Sequence, residues 1–227
     1  MIIVLLGPPG AGKGSQAQLL VERYDLEHIS SGDLLRDQCS RDTETARKIK
    51  DCMAQGSLVP DELILEIMLE AILHHYTPEG ETAGRNGVLL DGFPRTLAQA
   101  RSLDANLEKA ARPVDMAIDL EVDDDQLVNR ITGRRSCPEC HHVYHVMYSP
   151  PKESERCDLD GVTLVQRPDD TAEVVRNRIK TYHELTEPLI DYYEERGKLV
   201  KIDGNGEINA IAGEIGKVMD REFGSIR

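Results

Sequence analysis

Near the start of the 227-residue chain, Gly7-Pro8-Pro9-Gly10-Ala11-Gly12-Lys13-Gly14-Ser15 combines closely spaced glycines with one lysine and one hydroxyl. Glycines let successive main-chain N–H groups curl around an anion. The helix expected from about Gly12 presents its positive end, and Lys13 adds a mobile point charge. That is a cradle for a nucleotide polyphosphate, and it follows the apolar run Met1-Ile2-Ile3-Val4-Leu5-Leu6, as a strand–loop–helix unit requires. The common pattern puts Ser or Thr directly after the lysine to hold Mg²⁺. Here Gly14 intervenes and the hydroxyl falls at Ser15, so the ion is expected to be held largely through water and a distant acid. Asp91 closes the apolar run Gly87-Val88-Leu89-Leu90 and is placed for that task, with a helix cap as the alternative reading.

A second chemistry lies in the cysteines. Cys137-Pro138-Glu139-Cys140 and Cys157-Asp158-Leu159-Asp160 are two short pairs, each with a two-residue spacer, separated by 16 residues. Two such turns fold around one tetrahedral ion, zinc by default, in a reducing compartment. Asp158, His141, His142 and His145 are rival ligands. Cys39 and Cys52 have no partner at such a spacing and read as ordinary buried or partly buried thiols. His74 and His75 read as solvated residues at a helix end.

These groups need a frame. Strands are expected at Met1–Leu6, Gly87–Leu90, Met116–Leu120 and Leu199–Ile202. Helices are expected from Ser15 to Tyr24, as a pair over 32–73 broken near Gly56–Asp61, from about Leu97 to Ala111, and again from Thr171. Ser30, Ser31 and Asp33 can cap a helix start, Pro60 or Asp61 another, and His74–Asn86 with Pro78, Gly80 and Gly84 reads as a polar loop. Strands alternating with helices imply a parallel α/β sheet covered on both faces, with ligands at the carboxyl ends of its strands. From about 132 to 170 the pattern turns to short runs, prolines and cysteines, which reads as an inserted module.

Composition narrows the class. A hydrophobic fraction of 40% supports one principal α/β core, and 41 acids against 27 bases argue against non-specific binding to nucleic acid or anionic membrane. The absence of Trp and the presence of only two Phe leave no stacking platform for single strands. The six-residue apolar start is too short for a signal peptide or a span, so the protein is expected to be soluble and cytoplasmic.

The phosphate loop from Gly7, Ser-Gly-Asp-Leu-Leu-Arg ending at Arg36, Asp-Gly-Phe-Pro-Arg from Asp91, Gly-Arg-Arg from Gly133 and Arg-Pro-Asp-Asp from Arg167 together resemble the adenylate kinases of the long bacterial type. The match spans nearly the whole chain and keeps the family's order. The resemblance implies a P-loop nucleoside monophosphate kinase fold with a five-stranded parallel sheet. Its divisions would be a core of residues 1–29, 60–132 and 171–227, an NMP-binding segment 30–59 and a zinc-bearing lid 133–170. It also implies Mg-dependent transfer of the terminal phosphoryl group of ATP to AMP by a monomer, giving two ADP.

By the same resemblance the catalytic set is Lys13, Asp91, Arg95, Arg130, Arg134, Arg167 and Arg178. ATP is held by Gly10, Ala11, Gly12, Lys13, Gly14, Ser15, Arg130, Arg134, Val143, Tyr144 and Gly206. AMP is held by Ser31, Arg36, Ser57, Leu58, Val59, Gly92, Phe93, Pro94, Arg95, Gln99, Arg167 and Arg178, with Gln99 discriminating along the adenine edge. The family commonly has Thr where this chain has Ser31. Zinc falls to Cys137, Cys140, Cys157 and Asp160. The competing functions are a GTP:AMP phosphotransferase, a UMP/CMP kinase, and a non-catalytic nucleotide-binding redox sensor.

Overall fold

A computed structural model describes residues 1–76 and 85–224. In chain order it contains β1 (Ile2–Leu6), α1 (Lys13–Tyr24), β2 (Leu26–Ser30), α2 (Ser31–Cys39), α3 (Glu44–Gln55), α4 (Asp61–His75), β3 (Gly87–Asp91) and α5 (Leu97–Lys109). β4 (Met116–Glu121), α6 (Asp124–Thr132), β5 (Arg134–Ser136), β6 (Val143–His145) and α7 (Ala172–Thr181) follow. A π-helical turn (Tyr182–Thr186), α8 (Pro188–Glu194), β7 (Leu199–Asp203) and α9 (Ile208–Phe223) complete it. Among the described residues no helix is long and apolar enough to cross a membrane.

Five strands form one parallel sheet in the order β2-β3-β1-β4-β7. Its central strands are continuous apolar runs because both faces are covered. Ile2, Val4 and Leu6 of β1, Val88 and Leu90 of β3 and Ala117 of β4 face α4, α5 and α8 through Met68, Ile72, Leu103 and Tyr193. The alternate residues Ile3, Leu5, Leu89 and Ile118 face α1 and α9 through Leu20, Tyr24, Ile215 and Met219. Successive strand residues point to opposite faces, so one sequence run feeds two cores.

Local signals set the boundaries. Ser30 Oγ accepts from the Asp33 N–H at 3.2 Å, Thr43 Oγ1 from Ala46 at 3.1 Å and Thr96 Oγ1 from Gln99 at 3.1 Å, each opening a helix as an N-cap. Pro60 precedes α4, and Gly56 closes α3 at φ +69°. The expected helix pair over 32–73 is three helices, because Ser40–Thr43 stops α2 and caps α3. The strand Leu26–Ser30 escapes a search for apolar runs, since only Leu26 and Ile29 are buried on this sheet edge while Glu27 and His28 stay half-buried. His75 departs from the solvated reading: it is 3% exposed and its Nδ1 lies 2.6 Å from Glu27 Oε2, whereas His74 is exposed. In the loop expected at His74–Asn86, Pro78, Gly80 and Gly84 lie outside the described residues.

The stretch between α6 and α7 stands apart from the main sheet. β5 and β6 pair antiparallel, and Cys137, Tyr144, Cys157 and Leu164 make a small apolar cluster of their own. Cys39 and Cys52 are partly buried against the main core.

One core residue carries a charge question. Asp119 of β4 is 1% exposed, with no hydrogen-bond partner for its Oδ1. Burial, aided by Glu121 and opposed by Lys13 and Lys201, pushes its carboxyl up from 3.8 to about 6. A raised carboxyl value means the folded state binds the proton more tightly, so the associated stability is present below pH 4 and is lost as pH rises through about 6. Urea titrations from pH 4 to 7 are expected to show Asp119→Asn gaining on the wild type by on the order of 1–3 kcal/mol across that window. A difference that stays constant with pH would show that Asp119 is ionised throughout.

Candidate functional site

The carboxyl ends of four parallel strands border one cleft of about 890 Å³. β1 delivers the glycine loop, β2 delivers Ser31 and Arg36 through α2, β3 ends on Asp91, and β7 leads into Gly204–Gly206. This follows the rule that ligands sit outside the carboxyl edge where the sheet connections reverse direction.

The loop's glycines are needed for two different reasons. Gly7 has φ +129° and a Cβ there would lie 2.8 Å from the Leu120 carbonyl, while Gly12, at φ +94°, caps α1 in a left-handed conformation. Lys13 Nζ donates to the Gly7 and Pro8 carbonyls at 2.6 and 2.9 Å. Burial presses its ammonium down to about 8, with the Asp91 charge opposing. Burial works against ionising Asp91 in turn, but the neighbouring His28 and the Lys13 charge hold its carboxyl below the usual range. His28 Nε2 is 3.5 Å from Asp91 Oδ2.

Opposite the loop the arginines converge. Arg36, Arg95, Arg130, Arg134, Arg167 and Arg178 all line the cleft. Burial, then repulsion from Arg178, lowers Arg95 to about 10; burial, then repulsion from Arg134, lowers Arg167 to about 9. Burial lowers Arg178 as well, against the attraction of Asp169. Arg134 is the exception: burial opposes its charge, but a two-point bond to Asp170, Nε to Oδ2 at 2.9 Å and Nη2 to Oδ1 at 2.5 Å, raises it. Arg178 donates to Asp169 at 2.8 Å, and Arg36 pairs with Asp33. Arg130 reaches across to the Gly204 carbonyl at 3.0 Å.

At one end of the cleft Arg95 Nε donates to the Gly92 carbonyl at 2.6 Å, and Ser31 Oγ donates to the same carbonyl at 2.7 Å. Thr186, in the π-helical turn, donates to the Arg95 carbonyl at 2.8 Å and anchors that corner from behind. Ser57, Leu58, Val59, Gly92, Pro94 and the 3%-exposed Gln99 complete this end.

At the other end Gly10, Ala11, Gly12, Gly14, Ser15, Val143, Tyr144 and Gly206 line the wall. Tyr144 also belongs to the small cysteine cluster, its hydroxyl accepting from the Asp158 N–H at 2.8 Å. Phe93 is a correction: its ring is 1% exposed in the main core and does not line the cleft, because the chain turns between Gly92 and Pro94 and points it inward.

The ligand atoms of Cys137, Cys140, Cys157 and Asp160 all lie within 4.8 Å of one another. Cys140 Sγ is 3.5 Å from Cys157 Sγ, and Cys137 Sγ is 3.2 Å from Asp160 Oδ2. Zinc–sulfur bonds of about 2.3 Å in a tetrahedron put sulfurs about 3.8 Å apart, so the donor set fits the ion with small adjustments. The rivals point elsewhere. Asp158 Oδ1 accepts from Lys152 N, His145 Nδ1 accepts from Met147 N and Tyr148 N, His142 packs on Tyr144, and His141 lies 3.7 Å from Asp33.

Sequence reasoning left out Asp33, Asp169 and Asp170, the carboxylates that hold the arginines. They stand in the quoted motifs, and the signal was available: buried guanidinium groups require acids beside them. His28 also lines the cleft and lies on the strand that the apolar search missed.

A family model described as adenylate kinase matches residues 5–198. Curated relatives called adenylate kinase include one from Archaeoglobus fulgidus, 44% identical over 97% of this chain and 99% of the relative. Another from Caldicellulosiruptor bescii is 43% identical over 98% and 100%, and one from Listeria innocua is 44% identical over 96% and 99%.

Lys13→Met removes a half-buried cation whose hydrogen bonds go only to its own loop. The variant is expected to melt within a few degrees of the wild type while losing at least about tenfold in affinity for a nucleoside triphosphate, as befits one charge-assisted contact. Calorimetric titration with undiminished affinity would remove Lys13 from the phosphate site.

Proposed function

Given that the chain belongs to the adenylate kinase family and is a nucleoside monophosphate kinase moving the terminal phosphoryl group of ATP to AMP, we propose how its residues divide that work. The observation that carries the proposal is the convergence of six arginines and Lys13 on one cleft in a chain of net charge −14.

The acceptor phosphate of AMP is largely ionised at pH 7, its second pKa being about 6, so the transfer needs no general base. The obstacle is repulsion between two anionic phosphate groups and competition from water. Arg95, Arg134, Arg167 and Arg178 meet the first by surrounding the phosphates in flight. Asp33, Asp169 and Asp170 already hold Arg36, Arg178 and Arg134 in ion pairs, so these arginines need little reorganisation. Lys13 and the loop Gly10–Ser15 hold the triphosphate of ATP; Arg130 holds the nucleotide beside Val143, Tyr144 and the loop around Gly206. Ser31, Arg36, Ser57–Val59, Gly92, Pro94, Arg95 and Gln99 surround AMP. Phe93 shapes that wall from the core and is not a contact.

Asp91, half-buried beside the loop with its carboxyl held below the usual range, is the acid suited to receive magnesium-bound water, with Ser15 of the loop as the hydroxyl. Magnesium, when bound, supplies charge neutralisation on the transferring phosphate. Segment 30–59 and module 133–170 close over AMP and ATP respectively and exclude water, the remainder forming the core. Zinc sits on Cys137, Cys140, Cys157 and Asp160 and ties two turns of a module whose own apolar cluster is small. We further infer a cytoplasmic protein from cysteines suited to metal ligation in a reducing compartment, and a monomer from the family resemblance.

A coupled assay for ADP formation is the direct test: ATP with AMP is expected to be turned over, and replacing ATP by GTP or AMP by CMP is expected to cut kcat/KM strongly. Binding without turnover would leave only the non-catalytic sensor.

Four protein ligands leave no open position on zinc, so its loss acts on stability first. About one zinc per chain is expected by metal analysis. Cys137→Ser or Cys157→Ser is expected to lower the melting temperature sharply while some turnover persists at low temperature, and Cys39→Ser to leave metal content unchanged. Immediate, complete loss of activity on chelation with the fold intact would instead mark a catalytic ion.

A further inference from the structure

Gln99 is held on both sides of its amide by partners of fixed character. The Arg95 main-chain N–H, which can only donate, meets Gln99 Oε1 at 2.7 Å. The Asp61 carboxylate, which accepts when ionised, meets Gln99 Nε2 at 2.6 Å through its Oδ1. Asp61 Oδ2 takes the Thr96 hydroxyl at 3.0 Å, and that hydroxyl in turn accepts from the Gln99 N–H at 3.1 Å. Turning the amide over would set oxygen against carboxylate and NH₂ against N–H, leaving two buried mismatches at a side chain that is 3% exposed.

We propose that Asp61 is a positioning residue for base specificity: it locks the Gln99 amide in the one orientation that reads adenine and rejects a 6-oxopurine. After these two bonds the amide keeps one N–H and one oxygen lone pair. That remainder matches an edge offering a ring-nitrogen acceptor beside an amino donor, which adenine has. Hypoxanthine at the same edge offers an N–H and a carbonyl oxygen, the reverse pattern, and a free amide would accommodate it by turning over. Asp61 denies that escape. It is the first residue of α4, separated from Ser57–Val59 only by Pro60, so the helix start that borders the AMP end of the cleft also carries the lock.

This rests on Gln99 being the reader of the acceptor base, and the experiment separates the two ideas. Steady-state kcat and KM are measured with ATP as donor and either AMP or IMP as acceptor, for the wild type, Asp61→Ala, Asp61→Asn and Gln99→Leu. Asp61→Ala is expected to raise the KM for AMP and to shrink the AMP-over-IMP preference in kcat/KM, each by roughly tenfold, as loss of one hydrogen bond to a charged group allows. The KM for ATP is expected to hold.

Asp61→Asn keeps an acceptor oxygen for Gln99 Nε2 and is expected to restore most of the preference, which a simple loss of packing would not do. Should Asp61→Ala melt too low to assay, Asp61→Ser, which keeps a polar residue at the first position of α4 but is too short to reach Gln99, is expected to show the same loss. If Gln99→Leu abolishes the preference while Asp61→Ala or Asp61→Ser leaves it intact, the lock is overturned and the reader stands. If Gln99→Leu leaves both the preference and the KM for AMP unchanged, Gln99 is not the reader and both ideas fall.

Discussion

Repulsion among half-buried cations is the constraint on which this molecule turns. Arg178 depresses the charge of Arg95, and Arg134 that of both Arg167 and Arg178, in a cleft where burial already works against them. Such a cluster is tolerable only with fixed counter-charges, and the chain places Asp33 three residues before Arg36 and Asp169-Asp170 two residues after Arg167. The first motif pairs its own acid and cation, whereas Asp169 and Asp170 hold arginines brought from other segments, Arg178 and Arg134. The acids neutralise enough to let the fold form but leave a positive excess, and that excess is what a pair of nucleotide phosphates relieves.

The sheet's part is to aim these groups. Because all five strands run parallel, their carboxyl ends lie on one side, and the loops after β1, β2, β3 and β7 reach the same cleft without long detours. The stretch between α6 and α7 contributes from outside that sheet. Arg134 stands on β5 and its partner Asp170 lies just before α7, so the two ends of the inserted module are joined by the same two-point ion pair that orients an arginine of the site. With Cys137, Tyr144, Cys157 and Leu164 as its apolar cluster, the module has little burial of its own to offset chain entropy. A metal held by Cys137, Cys140, Cys157 and Asp160, as proposed, would supply what the missing core does not.

Much of this was legible in the residues. The central strands announced themselves as apolar runs, the phosphate loop by its glycines and lysine, and the metal cluster by its spacing. What stayed hidden has physical reasons. β2 sits at a sheet edge where Glu27 and His28 are half-buried, so its apolar content is too low to read. Phe93 was grouped with its motif, but motif membership does not say which way a side chain points. Asp61 looked like a helix opener and is one; its second task, holding Gln99 Nε2, links residues 38 positions apart and exists only once α4 and α5 pack together.

The net charge and the cleft work at different ranges. At physiological salt the screening length is about 8 Å, so an approaching nucleotide feels the acidic exterior only when nearly in contact, whereas the buried arginines are far less screened within the cleft. An acidic exterior thus does little to repel the substrate at a distance, and among the described residues the cleft is where positive side chains gather to receive phosphate. An equally basic exterior would offer phosphate many weak sites. By confining excess positive charge to the cleft, the chain couples anion binding to the geometry in which Lys13, Arg95 and Gln99 are already fixed.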